Sequence, residues 1–183
     1  MTNKWKFRTP TEEELHKRDC LAAELGLNPV ISLLLVQRGI ASADEARKFF
    51  KPSLNDLHDP YLMPDMEKAV QRLNTALGNK ENILIYGDYD VDGTTAVSLV
   101  YKFLRPFSSA IDYYIPDRYD EGYGISFKGI NYALEHGVTL IISLDCGIKA
   151  IEKIAYAKEK GIDFIICDHH MPDDVLPDAV AVL

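Results

Sequence analysis

The chain has 183 residues, 47% hydrophobic and 26% charged, which excludes a disordered polypeptide and suits one globular domain with a small extension. With 20 basic and 28 acidic residues, its net charge of −8 argues against a protein that grips nucleic acid by positive charge alone. No run of about 18 apolar residues predicts a membrane span, and three cysteines, an odd number, favour a reducing cytoplasm over a disulfide-bonded fold.

Helical patterns broken by prolines fill the first part of the chain. The sequence predicts helices over Glu12–Leu25, 29–37, 42–50 and 65–77. Ser42 followed by Glu45 is a capping-box pattern, and Gly26 is typical of the end of a helix. We therefore expect a small helical N-terminal region over residues 1–79.

From residue 80 the pattern changes to short apolar runs that alternate with helices. Strands are predicted over 83–86, 111–115, 140–144 and 162–167, and helices over 94–104, 126–135 and 149–160. This alternation is typical of βαβ units. It predicts an α/β domain over residues 80–183, with a largely parallel sheet of four or five strands flanked by helices.

Acidic residues directly follow three of the four predicted strands. The groups are Asp88, Asp90 and Asp92; Asp145; and Asp168 followed by His169 and His170. Because parallel strands end at one edge of a sheet, these groups should converge there. Crowded carboxylates repel one another, so a cation is expected among them. Oxygen ligands with an imidazole suit Mg²⁺ or Mn²⁺.

Each acidic group alone also fits a structural role. Residues 88–93 fit a polar turn with a helix cap, and Asp145 before Cys146 and Gly147 fits an ordinary turn. Residues 88–93 also resemble the start of a calcium loop, but Leu99 stands where an EF-hand requires glutamate. Gly87 and Gly93 are expected to permit a close approach of the backbone. Three such groups at three strand ends favour a functional site.

Five segments resemble a known family. The segments YGDYDVDG (86–93), SLDCG (143–147) and CDHH (167–170) resemble motifs of the DHH phosphoesterase superfamily. Within it, HDPYLMPDMEKAV (58–70) and YIPDRYDEGYGIS (114–126) are similar to RecJ-type single-strand-specific exonucleases. The resemblance implies a phosphodiesterase with two Mn²⁺ or Mg²⁺ ions that digests single-stranded DNA from the 5′ end, in DNA repair and recombination.

The resemblance also implies roles for individual residues. Metal ligands are implied at Asp88, Asp90, Asp92, Asp145, Asp168 and His169, where Asp88 and Asp168 are either ligands or their supports. Catalytic roles are implied for Asp145, which would bridge the two ions, for His169, and for His170, which would touch the scissile phosphate.

Arg118 and Tyr123 are candidate substrate-binding residues, because they lie in a glycine-rich loop between a predicted strand and helix. Arg118 is expected to contact DNA phosphate or the 5′ end, and Tyr123 to stack on a base. Arg118 also fits an ion pair with an acidic neighbour, either Asp117, Asp120 or Glu121. Tyr123 also fits a packing role in its loop.

The sequence ends at Leu183, before the fourth motif of the superfamily, so the resemblance implies an N-terminal fragment whose own activity is left open. Partners would be single-stranded DNA and single-strand-binding or other repair proteins, without a membrane. One alternative is a small-substrate phosphoesterase acting on oligonucleotides or pyrophosphate, disfavoured because Tyr86 stands where those enzymes usually have histidine. Another is an inactive nucleic-acid-binding module.

Overall fold

A computed structural model describes residues 8–183. The chain divides into two compact units, one ending at His58 and the other running from Asp59 to Leu183. The helix predicted over 65–77 thus lies in the second unit. The predicted domain boundary between residues 79 and 80 stays a prediction.

The first unit is helical. Its helices are α1 (Glu12–Leu25), α2 (Pro29–Val36) and α3 (Ala43–Phe50). Thr11 and Ser42 begin α1 and α3 with capping boxes, in which the side chain of each cap accepts the N–H of a glutamate three residues later. The buried core consists of Leu21, Leu35, Val36 and Ala46. The predicted helical region is therefore present.

The second unit is built around a five-stranded sheet. Its elements are α4 (Met66–Asn79), β1 (Asn82–Gly87), α5 (Val91–Leu104), β2 (Ile111–Tyr114), α6 (Phe127–Glu135), β3 (Val138–Leu144), α7 (Ile151–Glu159), β4 (Asp163–Cys167) and β5 (Ala181–Val182). The strand order is β2-β1-β3-β4-β5, and every pair is parallel. The predicted α/β class with a parallel sheet flanked by helices is confirmed.

Alternate strand residues enter two separate cores. Leu84 and Tyr86 of β1 belong to the core that α6 and α7 cover, whereas Ile83 and Ile85 belong to the core that α4 and α5 cover. A strand buried on both faces needs apolar residues at nearly every position. This requirement explains why the central strands appeared in the sequence as continuous apolar runs.

Arg72 of α4 joins its helix to the amino-terminal ends of the strands. Its Nε lies 2.6 Å from Oδ2 of Asp163, and its Nη2 lies 2.8 Å from Oε2 of Glu81. The Arg72 side chain is only 16% exposed. Removal of one partner from a largely buried ion pair leaves the others uncompensated.

Arg72→Ala is expected to lower the free energy of unfolding by about 2–3 kcal/mol, less than for a fully buried pair because Asp163 is partly exposed. Urea denaturation measures this change. Lys68→Ala is the control, because the Lys68–Asp65 ion pair of the same helix is solvent-exposed and should contribute about 0–1 kcal/mol. Equal losses in both variants would contradict the assigned role of Arg72.

Candidate metal centre

Two glycines allow α5 to begin unusually close to the end of β1. A Cβ atom at Gly93 would lie 2.5 Å from the carbonyl oxygen of Asp88, and one at Gly87 would lie 2.3 Å from Cγ2 of Val97. Both distances are too short for a real contact, so only glycine fits these positions as they stand. The predicted close backbone approach is therefore observed, and it fixes the loop that carries the first acidic group.

Asp90 begins α5 as its N-cap residue. Its Oδ1 accepts the N–H of Gly93 at 2.9 Å, and the hydroxyl of Tyr123 lies 3.5 Å from its Oδ2. Asp92 lies in the first turn of the same helix and is exposed. The helix begins at Val91 instead of the predicted residue 94, because the acidic loop itself supplies the cap and the first turn.

Asp88 is buried and holds two backbone segments. Its Oδ1 accepts the N–H of Tyr89 at 2.6 Å, and its Oδ2 accepts the N–H of Gly124 at 2.9 Å. Burial raises the pKa of Asp88, and the charges of Asp90 and Asp145 raise it further. Of the two roles predicted for Asp88, this arrangement favours support of the site over direct ligation.

Asp145 follows β3 in a left-handed backbone conformation, with φ of 60°. Residues held in this conformation are frequent at functional sites. Oδ1 of Asp145 lies 2.9 Å from Nε2 of His169. The Asp145 side chain is 8% exposed, whereas that of His169 is 75% exposed. In this pair the carboxylate is therefore nearly buried, and the imidazole is accessible to solvent.

Asp168 orients His170. Oδ1 of Asp168 lies 2.7 Å from Nδ1 of His170, and Oδ2 accepts the N–H of Ile148 at 3.0 Å. Burial opposes ionisation of Asp168, but the hydrogen bonds from Ile148 and His170 outweigh it and lower the pKa of Asp168. The hydrogen bond to Asp168 raises the pKa of His170. Because Nδ1 is engaged by Asp168, Nε2 is the ring nitrogen of His170 left for a further hydrogen bond.

These residues converge at the carboxyl-terminal edge of the sheet. Ligand atoms of Asp145, His169 and His170 all lie within 4.8 Å of one another. A cleft of about 520 Å³ is lined by Asp92, Asp145, Asp168 and His169, together with methionines and other apolar side chains. Asp88 and Asp90 are not part of the three-residue cluster, but they interact with it electrostatically. The charge of Asp145 contributes to the raised pKa of Asp88, and the charge of Asp90 contributes to the raised pKa of His170.

The donors fit a hard divalent cation. Within residues 8–183, no lysine or arginine forms an ion pair with any of the five aspartates of the three motifs. Only the two histidines accompany them. Carboxylate oxygens with imidazole nitrogen are ligands of Mn²⁺ and Mg²⁺.

The loop after β2 places aromatic and cationic groups beside this edge. The guanidinium carbon of Arg118 lies 5.4 Å from the ring centroid of Tyr89, and no ion pair to an acidic neighbour is present in the described part of the chain. The Tyr123 ring meets the Tyr89 ring edge-on at 5.8 Å. Burial and the charges of Asp88 and Asp90 raise the pKa of Tyr123 to about 12, so its hydroxyl remains a donor.

Hydrogen bonds with Tyr86 and Tyr114 hold the same loop in place. The Tyr86 hydroxyl accepts the N–H of Ser126 at 3.1 Å, and Glu121 accepts hydrogen bonds from the hydroxyls of Tyr114 and Ser126. Glu121 therefore serves the loop and is not paired with Arg118. The contact between Tyr89 and Arg118 was not predicted; the only signal for it in the sequence is an aromatic residue between two motif aspartates.

A sequence profile described as the N-terminal domain of the DHH family matches residues 82–183. The chain is 39% identical over 180 residues to the single-stranded-DNA-specific exonuclease RecJ of Bacillus subtilis strain 168, covering 98% of this chain and 22% of that protein. It is 35% identical over 159 residues to RecJ of Escherichia coli K12, covering 86% and 27%.

Solved structures show the same similarity. A crystal structure of exonuclease RecJ bound to manganese matches with a TM-score of 0.57 and 32% identity, over 63% of this chain and 30% of that one. RecJ from Thermus thermophilus in complex with Mn²⁺ matches in fold with a TM-score of 0.70 and 24% identity, over 92% and 23%.

The chain thus spans about a fifth to a third of the length of these curated and solved relatives. In the part of the chain that the structure describes, no helix is both long and apolar enough to cross a membrane.

Proposed function

The chain belongs to the DHH family, and on that premise we propose that it carries the metal-binding residues of a nuclease that hydrolyses phosphodiester bonds of single-stranded DNA. One observation carries the proposal. Asp145, His169 and His170 converge within 4.8 Å at the edge where three strands end, beside further carboxylates that no lysine or arginine of residues 8–183 pairs with. RecJ exonucleases, which the chain resembles, are named for this activity.

We assign the ligands of two Mn²⁺ or Mg²⁺ ions to Asp90, Asp92, Asp145 and His169. Asp88 and Asp168 support them, because both oxygens of each form hydrogen bonds of 3.0 Å or shorter to backbone N–H groups or to His170. In Asp90, by contrast, Oδ2 is approached only by the Tyr123 hydroxyl, at 3.5 Å, among the described residues. When bound, the cations would neutralise charge on the phosphoryl oxygens and supply a nucleophilic water at neutral pH.

The other residues would bind and orient the phosphate. His170, held by Asp168 through Nδ1, would in its protonated form donate a hydrogen bond from Nε2 to a phosphoryl oxygen. Tyr123 would hold its proton and orient Asp90 through the hydroxyl. The stacked pair of Arg118 and Tyr89, with the 92% exposed Tyr119, would contact the strand by charge and by stacking.

The wider biological assignments are also proposals. We propose a role in DNA repair and recombination, partners such as single-strand-binding proteins, a cytoplasmic location and action from the 5′ end, and the similarity to RecJ exonucleases supports these proposals. The same holds for the assignment of this chain to the N-terminal part of a longer enzyme.

Digestion of a 3′-labelled single strand and its duplex by the native protein tests the proposed activity. In Mn²⁺, the labelled single strand should shorten progressively from its 5′ end, the duplex should resist, and chelation of the metal should stop the reaction. No hydrolysis of the single strand, or faster hydrolysis of pyrophosphate, would contradict the proposal; the second result would favour the small-substrate phosphoesterase.

Arg118→Ala is expected to weaken binding of single-stranded DNA without loss of Mn²⁺ binding. One lost phosphate contact should also reduce the slope of log affinity against log salt by about 0.7. Fluorescence anisotropy in Ca²⁺ at several salt concentrations measures both quantities. Lys128→Ala is the control, because Lys128 is exposed and lies 3.9 Å from Asp120. An unchanged slope in Arg118→Ala would contradict the phosphate contact.

A further inference from the structure

A second cavity, of about 470 Å³, lies next to His170. Its walls come from the loop around Tyr123, the turn after β3, the beginning of α7 and the segment after β4. Small-ligand sites typically have volumes of about 300–1,000 Å³. The cavity therefore has room for part of a nucleotide, and it shares Asp168 and His170 with the candidate metal centre.

Its charged lining is mainly cationic. Two lysines, Lys149 and Lys153, line it, and Asp168 is the one acidic side chain in the described lining. Both oxygens of Asp168 are already hydrogen-bonded, one to Ile148 and the other to His170. Lys149 lies 3.3 Å from Asp173, which leaves it partly neutralised.

Lys153 differs from the other lysines of α7 and its neighbourhood. It is half-buried, and no acidic residue within the described range lies at ion-pair distance from it. By contrast, Lys158 of the same helix lies 2.5 Å from Asp178 and is exposed. Within residues 8–183, Lys153 therefore brings to the cavity wall a positive charge that no acidic residue pairs with. An anion from outside the chain can form that ion pair.

The rest of the lining suits the sugar and base that accompany a phosphate. Ile125, Ile148 and Met171 provide apolar surface. Ala150, also in the lining, is the N-cap of α7 and offers no side-chain acceptor to the first turn. Backbone N–H groups of such a turn favour a nearby negative charge.

We propose that this cavity binds the nucleotide next to the scissile phosphodiester, with Lys153 contacting its backbone phosphate. The inference rests on the proposed function. His170 was assigned to one phosphate of the DNA strand. The inference adds a second phosphate, bound between His170 and Lys153 of α7, which line the same cavity.

The test compares native protein with Lys153→Gln, Lys153→Arg and Lys158→Gln. Affinity for a single-stranded oligonucleotide is measured by anisotropy in Ca²⁺ over a range of salt concentrations. Lys153→Gln should weaken binding about tenfold and lower the salt slope by about 0.7, Lys153→Arg should restore both, and Lys158→Gln should match wild type.

A second measurement locates the contacted phosphate. Oligonucleotides with one uncharged methylphosphonate linkage are bound to wild type and to Lys153→Gln. At one linkage, the neutral group should weaken binding of the oligonucleotide to wild type and leave its binding to Lys153→Gln unchanged. Equal behaviour of Lys153→Gln and Lys158→Gln, or no such linkage, would overturn the inference. If wild type still bound and digested single strands, the proposed function would stand; if it did neither, both would fail.

Discussion

Asp145→Asn is expected to reduce Mn²⁺-dependent digestion of single-stranded DNA by about 10³-fold or more. Asparagine has nearly the same shape and tolerates the left-handed backbone at this position, so the fold should persist. The substitution removes the carboxylate charge that faces His169 at the centre of the site. Loss of metal-ion charge stabilisation costs several kcal/mol, and about 1.4 kcal/mol corresponds to a factor of ten in rate.

Turnover in Mn²⁺ and DNA affinity in Ca²⁺ should separate catalysis from binding in this variant. Affinity should fall far less than turnover, because phosphate contacts elsewhere supply much of it. Asp178→Asn is the matched control, since Asp178 is exposed, pairs with Lys158 and lies outside the site. Near-normal turnover in Asp145→Asn would contradict the metal assignment.

Gly93→Ala is expected to destabilise the protein by about 3 kcal/mol and to weaken Mn²⁺ binding. The added methyl group would meet the backbone oxygen and nitrogen of Asp88 at 2.5 and 2.6 Å, and rigid backbone cannot yield as a flexible side chain can. Helix α5 would have to move away from β1 and would carry Asp90 and Asp92 with it.

Gly78→Ala is the matched control for this substitution. Gly78 lies inside helix α4, and a Cβ atom there would meet nothing within 4 Å. Alanine should therefore stabilise α4 by about 0.5–1 kcal/mol. Urea denaturation and Mn²⁺ titration of both variants test the expectation. A Gly93→Ala protein as stable as wild type would show that the close approach of α5 to β1 is not required.

The alternation of strands and helices after residue 80 was predictable because central parallel strands are apolar on both faces. The shared edge of the acidic groups followed from the same topology, since each group comes directly after a strand. Strand β5 could not be recognised, because it consists of only two residues, Ala181 and Val182, and is too short to show a hydrophobic periodicity. The early start of α5 was missed because the acidic loop resembled a turn.

Contacts between distant segments set the finer geometry of the site. The hydrogen bond from Gly124 to Asp88 and the stacking of Arg118 on Tyr89 join residues that are far apart in the sequence. The alternative role of Arg118, an ion pair with an acidic neighbour, is absent from the described part of the chain: Glu121 accepts hydrogen bonds from Tyr114 and Ser126, and Arg118 lies over Tyr89. Sequence spacing alone gives no access to such pairings.

Anomalous diffraction from crystals soaked in MnCl₂ would locate the metal on the protein. We expect manganese bound at the carboxyl-terminal edge of the sheet, with Asp145 and His169 among its ligands, and loss of that manganese in Asp145→Asn. Manganese bound only elsewhere on the chain, or none at saturating concentration in crystals of the native protein, would contradict it.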